Sequence, residues 1–159
     1  AINISSPNTE NLRELSGESY LRKLLSDIKA KQYNLSSAYG YKPIFVKISP
    51  DEELKNLKEI CNLVMELKLD GIISSNTTAD HHDVNGEGGL SGTPLKSKAT
   101  EKLLFVKSIV KNSIPIIASG GVMSVEDYQE KINCGADLVQ IYTGFIYDGP
   151  KLIKDLVDL

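Results

Sequence analysis

The chain has 159 residues, a formal net charge of −3 and 41% hydrophobic residues, values typical of one globular domain with a sizeable core. The negative charge gives no general attraction to phosphodiester backbones, so nucleic acid is not an expected partner. No apolar run approaches the ~18 residues that a transmembrane helix requires. Cys61 and Cys134 have no zinc-binding spacing, which predicts two reduced, buried thiols.

Five short apolar runs alternate with amphipathic segments along the chain. The first predicted strand opens at Ala1, and the others cover residues 44–48, 72–75, 114–118 and 138–141. Helical spacing predicts helices from residue 18 into the low thirties, over 54–64, over 98–111, up to 133, and from 150 onward. The sequence therefore predicts repeated strand–helix units.

Two of these helices begin at capping signals. Asp51 follows Pro50 and is expected to cap the next helix. Ser124, with Asp127 three positions later, resembles a capping box in which aspartate replaces the usual glutamate or glutamine. Residues 34–42 and 77–93 are predicted loops, and the length of the second indicates a functional segment.

Strand–helix units without hairpin signals require parallel strands joined by right-handed crossovers. A doubly wound sheet and a (β/α)8 barrel both meet this requirement. No G-x-G-x-x-G follows a strand, and polar residues end every predicted strand, which favours the barrel. Because a full barrel takes about 250 residues, we expect the C-terminal five βα units of a TIM barrel, with three units missing or supplied separately.

Glycine turns follow the last two predicted strands. Ser119-Gly120-Gly121 ends the fourth strand, and Tyr142-Thr143-Gly144 ends the fifth. In a barrel these positions form the usual phosphate site, because glycine lets backbone N–H groups close on phosphate oxygens. Two ordinary turns are the alternative, but their occurrence at consecutive strand ends favours a phosphate site.

Lys47 lies within the apolar run 45–48. A charge at such a position is seldom tolerated unless it is paired or used. Three interpretations stay open: a Schiff base with a carbonyl substrate, binding of an anionic cofactor group, and a lysine whose ammonium extends to solvent.

Polar residues near the other strand ends suggest a substrate site. Asn3, Asn8 and Asn76 are expected at one rim, where they suit a flat substrate with amide and carbonyl edges. Ser5 and Ser6 are candidate nucleophiles or bases. Both histidines of the chain lie in the long loop, so a Ser-His-Asp triad has little support.

The two histidines, His81 and His82, are flanked by Asp80 and Asp83. These residue types can bind a metal ion, but adjacent histidines on an irregular loop are more often simply solvated. We therefore assign no metal site.

Six segments, in this order and spacing, resemble dihydroorotate dehydrogenases. They are Asn3–Thr9, Val46–Ile48, Ser75–Thr78, Gly88–Leu95, Ala118–Gly121 and Leu138–Phe145. The resemblance implies an FMN-binding (β/α)8 barrel that oxidises dihydroorotate to orotate in pyrimidine (UMP) biosynthesis. Serine at position 6, where the soluble class has cysteine, resembles the membrane-associated class 2 enzymes that reduce quinone.

The same resemblance implies roles for individual residues. Ser6 is expected to be the base that removes the C5 proton, and Thr9 to assist it through a bound water. The expected substrate-binding residues are Asn3, Asn8, Asn76 and Thr77. The expected FMN-contacting residues are Asn3, Lys47, Ser75, Gly92, Gly121, Tyr142 and Thr143.

For domain organisation, the resemblance implies that residues 1–159 are the C-terminal part of one barrel domain. The N-terminal strands and a membrane-associating segment would then be absent. That segment would place the enzyme on the cytoplasmic face of a bacterial inner membrane, or alternatively on the mitochondrial inner membrane. Two other functions stay open: a lyase that uses Lys47 as a Schiff base, and an inactive fragment that completes an assembly.

Overall fold

The computed structural model describes residues 1–5, 18–81 and 88–158, which form one parallel sheet covered by helices. The strands are β1 (Ile2–Asn3), β2 (Phe45–Lys47), β3 (Gly71–Ser74), β4 (Ile116–Ser119) and β5 (Leu138–Gln140). The helices are α1 (Glu18–Tyr39), α2 (Leu54–Glu66), α3 (Lys96–Val110), α4 (Val125–Asn133), α5 (Thr143–Asp148) and α6 (Pro150–Val157). A 3-10 turn, Thr93–Leu95, leads into α3.

The five strands lie in the sheet in sequence order, and every neighbouring pair is parallel. A doubly wound sheet reverses its strand order at a switch point, and no reversal occurs among the described strands. Consecutive parallel strands are instead what the wall of a barrel contains. The predicted parallel α/β architecture is confirmed. The register places Asn3 opposite Lys47, and Lys47 opposite Ile73, so the strands end at a common rim.

The core lies between the sheet and the helices on one of its faces. Val46, Ile72 and Ile116 are fully buried on neighbouring strands. The helical residues that pack in the same core include Leu57, Cys61, Val64, Leu103, Val106 and Val110. Burying each such aliphatic side chain stabilises the fold by about 1.5–3 kcal/mol. The core therefore fixes the strands whose ends form the rim.

The two cysteines are both free, and they differ in burial. Cys61 is fully buried, and burial raises the pKa of its thiol to about 12. Cys134 is only partly buried, so the expectation of two buried thiols holds for Cys61 alone.

Helix α1 is longer than the sequence predicted, because it continues to Tyr39 through residues assigned to a loop. The hydroxyl of Ser36 donates to the carbonyl of Gln32 at 2.7 Å, so this polar residue is accommodated within the helix. Gly40 follows with φ of +73°, the left-handed conformation in which many helices end. The loop predicted from the composition of residues 34–42 was therefore wrong about where this helix ends.

One predicted cap is confirmed and the other is wrong. The Oγ of Ser124 accepts a hydrogen bond from the Asp127 N–H at 3.3 Å. Helix α2 begins after Glu53, which makes no side-chain cap bond. The carboxylate of Asp51 instead accepts hydrogen bonds from the loop that follows β3, because that loop converges on the same rim.

The short helix α5 was not predicted, since Tyr142-Thr143-Gly144 had the composition of a turn. Pro150 occupies the first turn of α6, as predicted. Within the described ranges, no helix is long and apolar enough to cross a membrane.

Candidate functional site

A cavity of about 550 Å³ opens at the carboxyl ends of strands β2 to β5. This volume falls in the range of small-molecule sites. The residues from the sequence-based site set that line it are Lys47, Ser75, Asn76, Thr77, Gly92, Gly121, Tyr142 and Thr143. The sheet therefore brings strand ends that are far apart in sequence to one cavity.

Beside this cavity, the end of β1 contributes a cluster of amide and hydroxyl groups. The Oδ1 of Asn3 accepts hydrogen bonds from the N–H and the hydroxyl of Ser5, at 3.1 and 2.8 Å. The Nδ2 of Asn76 donates to the Oγ of Ser5 at 3.1 Å and to the Oδ1 of Asn3 at 3.4 Å. Asn3 is thus joined to the cavity through Asn76, although it does not line the cavity itself.

The amide of Asn76 is held at both ends. Its Nδ2 donates to Ser5 and Asn3, and its Oδ1 accepts the N–H of Thr77 at 2.9 Å. A side chain fixed in this way presents a constant hydrogen-bonding edge to a ligand, which lowers the ordering cost of binding.

Lys47 is the one half-buried cation of this cavity in the part of the chain that the structure describes. Its ammonium forms no ion pair within the described residues, and burial lowers its pKa from the ordinary value of 10.5. Such a group is a site for negative charge, because a ligand anion would offset the cost of burying it.

Two glycines with positive φ line the cavity, Gly121 after β4 and Gly92 before the 3-10 turn. Gly121 has φ of +75°, and a Cβ added there would lie 2.3 Å from the Cα of Lys96. Gly92 has φ of +72°, and its added Cβ would lie 3.1 Å from the Cγ2 of Thr143. At Gly121 both the positive φ and the close approach to a backbone atom require glycine, whereas at Gly92 the positive φ is the main restriction.

Several lining residues had no role assigned from the sequence. Ser91 accepts a hydrogen bond from the Thr143 hydroxyl at 2.9 Å, which ties the residue before Gly92 to the start of α5. Gln140, the last residue of β5, also lines the cavity. Its position at a strand end was the available signal, since each of the other strand ends supplied a candidate.

Ser6, Asn8 and Thr9 lie outside the described residues, so their expected roles stay predictions. His82 and Asp83 also lie outside them. The Nε2 of His81 is 2.6 Å from the carbonyl oxygen of Gly88. Among the residues that the structure describes, no group of three His, Cys, Asp or Glu side chains is arranged to hold a metal ion.

Comparison with known proteins agrees with this arrangement. A family model described as dihydroorotate dehydrogenase matches residues 1–158. The chain is 46% identical over 164 residues to dihydroorotate dehydrogenase (quinone) of Buchnera aphidicola, covering 99% of this chain and 49% of that protein. It is 47% identical over 165 residues to the enzyme of the same name from Aliivibrio salmonicida, with the same two coverages. The chain thus spans about half the length of these relatives.

The fold comparison gives the same relationship. A crystal structure of DHODH from Eimeria tenella in complex with ferulenol superimposes with a TM-score of 0.90 and 32% identity, covering 99% of this chain and 47% of that one. The ligand-free form from the same organism gives a TM-score of 0.87 and 33% identity, covering 99% and 48%. The predicted family and the partial-barrel fold are confirmed. The chain belongs to the dihydroorotate dehydrogenase family.

Proposed function

We propose that this chain supplies the flavin- and pyrimidine-binding wall of a quinone-dependent dihydroorotate dehydrogenase, which oxidises dihydroorotate to orotate in pyrimidine biosynthesis. The observation that carries the proposal is the convergence of three features on one cavity. These are the half-buried Lys47, the glycine turn at Gly121, and the amide of Asn76. They provide, respectively, a cation, a glycine turn of the kind that binds phosphate, and an amide edge that can pair with a pyrimidine.

The cavity fits FMN as its cofactor. The apolar side chains of Leu95, Val122 and Ile141 line it together with the polar strand ends, which suits a flat aromatic ring that carries polar edges. Gly120 and Gly121 line the cavity, and a turn of two glycines is the kind of backbone whose N–H groups can approach a phosphate group closely. Bound FMN supplies the ring that accepts a hydride from the substrate.

Lys47 has an electrostatic role in this proposal. Its ammonium would stabilise negative charge on the bound flavin, because a preorganised cation acts most strongly where water is excluded. Because Lys47 is half-buried and has no counter-ion among the described residues, its charge is directed to the bound molecule.

Asn3, Asn76 and Thr77 orient the substrate. The Asn3–Ser5–Asn76 hydrogen bonds hold the amide groups in place before the substrate arrives, so less ordering is required on binding. Asn8 is proposed to complete this set. Ser75, Gly92, Tyr142 and Thr143 are proposed to contact the FMN, together with Asn3.

Ser6 is proposed to remove the C5 proton of dihydroorotate. A serine hydroxyl is a weak base, so it must pass its proton on at once. Thr9, acting through a bound water, is the proposed acceptor route. Quinone is the proposed final electron acceptor, reached at the surface of a bacterial inner membrane. The names of the bacterial relatives, dihydroorotate dehydrogenase (quinone), support the choice of quinone.

The Ser6→Ala variant tests the proposal. The variant should keep its flavin absorbance, while anaerobic flavin bleaching by dihydroorotate slows by about 10²-fold or more. Ser5→Ala serves as the neighbouring control, and we expect it to raise the KM for dihydroorotate more than it lowers the bleaching rate. Unchanged bleaching in Ser6→Ala would remove Ser6 from the base role. A complete barrel that contains this chain and purifies without any flavin would contradict the proposed function as a whole.

One observation favours a second candidate function. The lowered pKa of Lys47, caused by burial, is also what a Schiff-base lyase requires of its amine. Borohydride would then trap a substrate carbonyl on Lys47 in a protein that holds no flavin. A flavin-containing protein that resists trapping excludes this alternative.

A further inference from the structure

We propose that Asp127 is a positioning residue that holds the glycine turn 120–123 in the shape required to bind the phosphate of FMN. Asp127 does not line the cavity, and it would act through the backbone of Met123 and through Lys96. The inference rests on the proposed function and deepens it, because it names the residues that determine how strongly the phosphate is held.

The carboxylate of Asp127 uses both of its oxygens. Its Oδ2 accepts a hydrogen bond from the Met123 N–H at 2.9 Å, two positions after Gly121. Its Oδ1 lies 2.5 Å from the Nζ of Lys96, the first residue of α3. The side chain of Asp127 is only 13% exposed, so these bonds form in a largely dehydrated setting. One carboxylate thus links the turn to a second helix.

Asp127 is also ionised in this setting. Burial raises the pKa of its carboxyl group, but the hydrogen bonds from Lys96 and from the Met123 N–H outweigh that effect and hold the pKa below the ordinary value. The charged form is the one that makes both contacts strong.

Lys96 is fixed at its backbone as well as at its side chain. The Nζ of the fully buried Lys131 donates to the Lys96 carbonyl at 3.3 Å and to the Thr100 hydroxyl at 2.5 Å. The Cβ that Gly121 lacks would lie 2.3 Å from the Cα of Lys96, so the turn packs directly on this backbone. The turn is therefore held between α3 and α4, with Asp127 as the link between them.

A positioning role and a purely electrostatic role predict opposite effects. Met123 and Lys96 contact different oxygens of Asp127. Asparagine at this position would place an NH2 group, which donates and does not accept, in front of one of these two donors, so one of the present contacts is lost. If charge alone mattered, Asp127→Asn would remove a negative charge near the phosphate and tighten FMN binding. If Asp127 holds the turn, the same variant weakens FMN binding.

The experiment compares FMN with riboflavin, which lacks the phosphate, by fluorescence titration of flavin-free protein. We expect Asp127→Asn to weaken FMN binding at least tenfold and to leave riboflavin binding unchanged. Glu130→Gln is the matched control. Glu130 contacts the same Nζ of Lys96 at 2.9 Å, and its replacement by glutamine removes the same charge. Its FMN-to-riboflavin affinity ratio should change less than threefold. Asp127→Glu, which keeps the charge, should restore part of the FMN-to-riboflavin affinity ratio that Asp127→Asn loses.

Tighter or unchanged FMN binding in Asp127→Asn would overturn the inference, and so would an equal loss of both flavins. If that variant does not fold, Lys96→Met provides the test, because it also disconnects Asp127 from α3. An unchanged FMN-to-riboflavin ratio in Lys96→Met would then overturn the inference. These titrations use the complete barrel that contains this chain. If the wild-type barrel binds neither flavin, the proposed function and this inference are both overturned, whereas the variant results above concern the inference alone.

Discussion

The Nζ of Lys98 lies 2.5 Å from the Oδ1 of Asp51, and this ion pair joins the loop after β2 to the first turn of α3. The hydroxyl of Thr78 and the N–H of Ala79 donate to the same carboxylate at 2.5 and 2.7 Å. Thr78 directly follows Thr77 in the cavity wall. Asp51 therefore anchors the loop that carries the proposed pyrimidine-binding residues.

Replacing Asp51 with asparagine should loosen this loop. The variant loses the ion pair with Lys98 and leaves at least one of three donors without an acceptor, so we expect the free energy of unfolding to fall by about 1–3 kcal/mol. The KM for dihydroorotate should rise because Asn76 and Thr77 lose their fixed position. Urea unfolding and steady-state kinetics measure the two effects. Glu53→Gln removes the same charge from a residue without a side-chain cap bond, and it should change neither the free energy of unfolding nor the KM. Equal effects in both variants would refute the role of Asp51 as the anchor of this loop.

The same carboxylate predicts a pH dependence of stability. Burial raises the pKa of Asp51, but hydrogen bonds from Lys98, Thr78 and Ala79 outweigh it, and the pKa falls below the ordinary value of 3.8. A carboxyl pKa that is lower in the folded state stabilises the protein above the unfolded pKa, and this contribution is lost as the pH falls through the folded value. The stability difference between wild type and Asp51→Asn should therefore be full near neutral pH and shrink below pH 3.8. A stability difference between the two proteins that grows on acidification would contradict this predicted pH dependence.

Lys47→Met should separate stability from activity. Because burial lowers the pKa of Lys47, the ionised lysine opposes folding at neutral pH, and this cost disappears only in the alkaline range. The flavin-free variant should therefore be more stable to urea by up to about 1 kcal/mol. Flavin reduction by dihydroorotate should slow by about 10²-fold, because a preorganised cation is lost. A destabilised variant with normal flavin reduction would show that Lys47 has a structural role instead.

The sequence predicted the strand ends of the site because each one carries a local signal. Lys47 interrupts an apolar run, Asn76 ends another, and Gly121 and Thr143 lie in glycine turns that follow strands. A parallel sheet then places all of these ends on one rim. The cavity that joins them could therefore be predicted without knowing how the side chains pack.

The supporting contacts could not be predicted in this way. Asp51 and Lys98 are 47 positions apart, in the loop after β2 and in α3, so their pairing depends on how α3 packs against β3, the neighbour of β2. Asp51 even carried a misleading local signal, since its sequence neighbours are those of a helix cap. Asp127 had a signal, the capping box, but that motif does not predict the hydrogen bond that its carboxylate accepts from the Met123 N–H, one residue before the cap. Its second partner, Lys96, became evident only from the packing of two helices.

The close packing of Gly121 on Lys96 gives the last prediction. Alanine at 121 would place its Cβ 2.3 Å from a backbone atom of α3 and would also occupy a left-handed conformation. Gly40→Ala is a matched control, because Gly40 has a nearly equal φ of +73° and nothing within 4 Å of its added Cβ. Both variants should lose about 1 kcal/mol from backbone strain. Only Gly121→Ala should lose a further ~1–3 kcal/mol from the clash and bind FMN at least tenfold more weakly than wild type. Equal losses of unfolding free energy in the two variants, with FMN affinity retained, would show that the turn yields to the added methyl group and that its contact with α3 does not control the site.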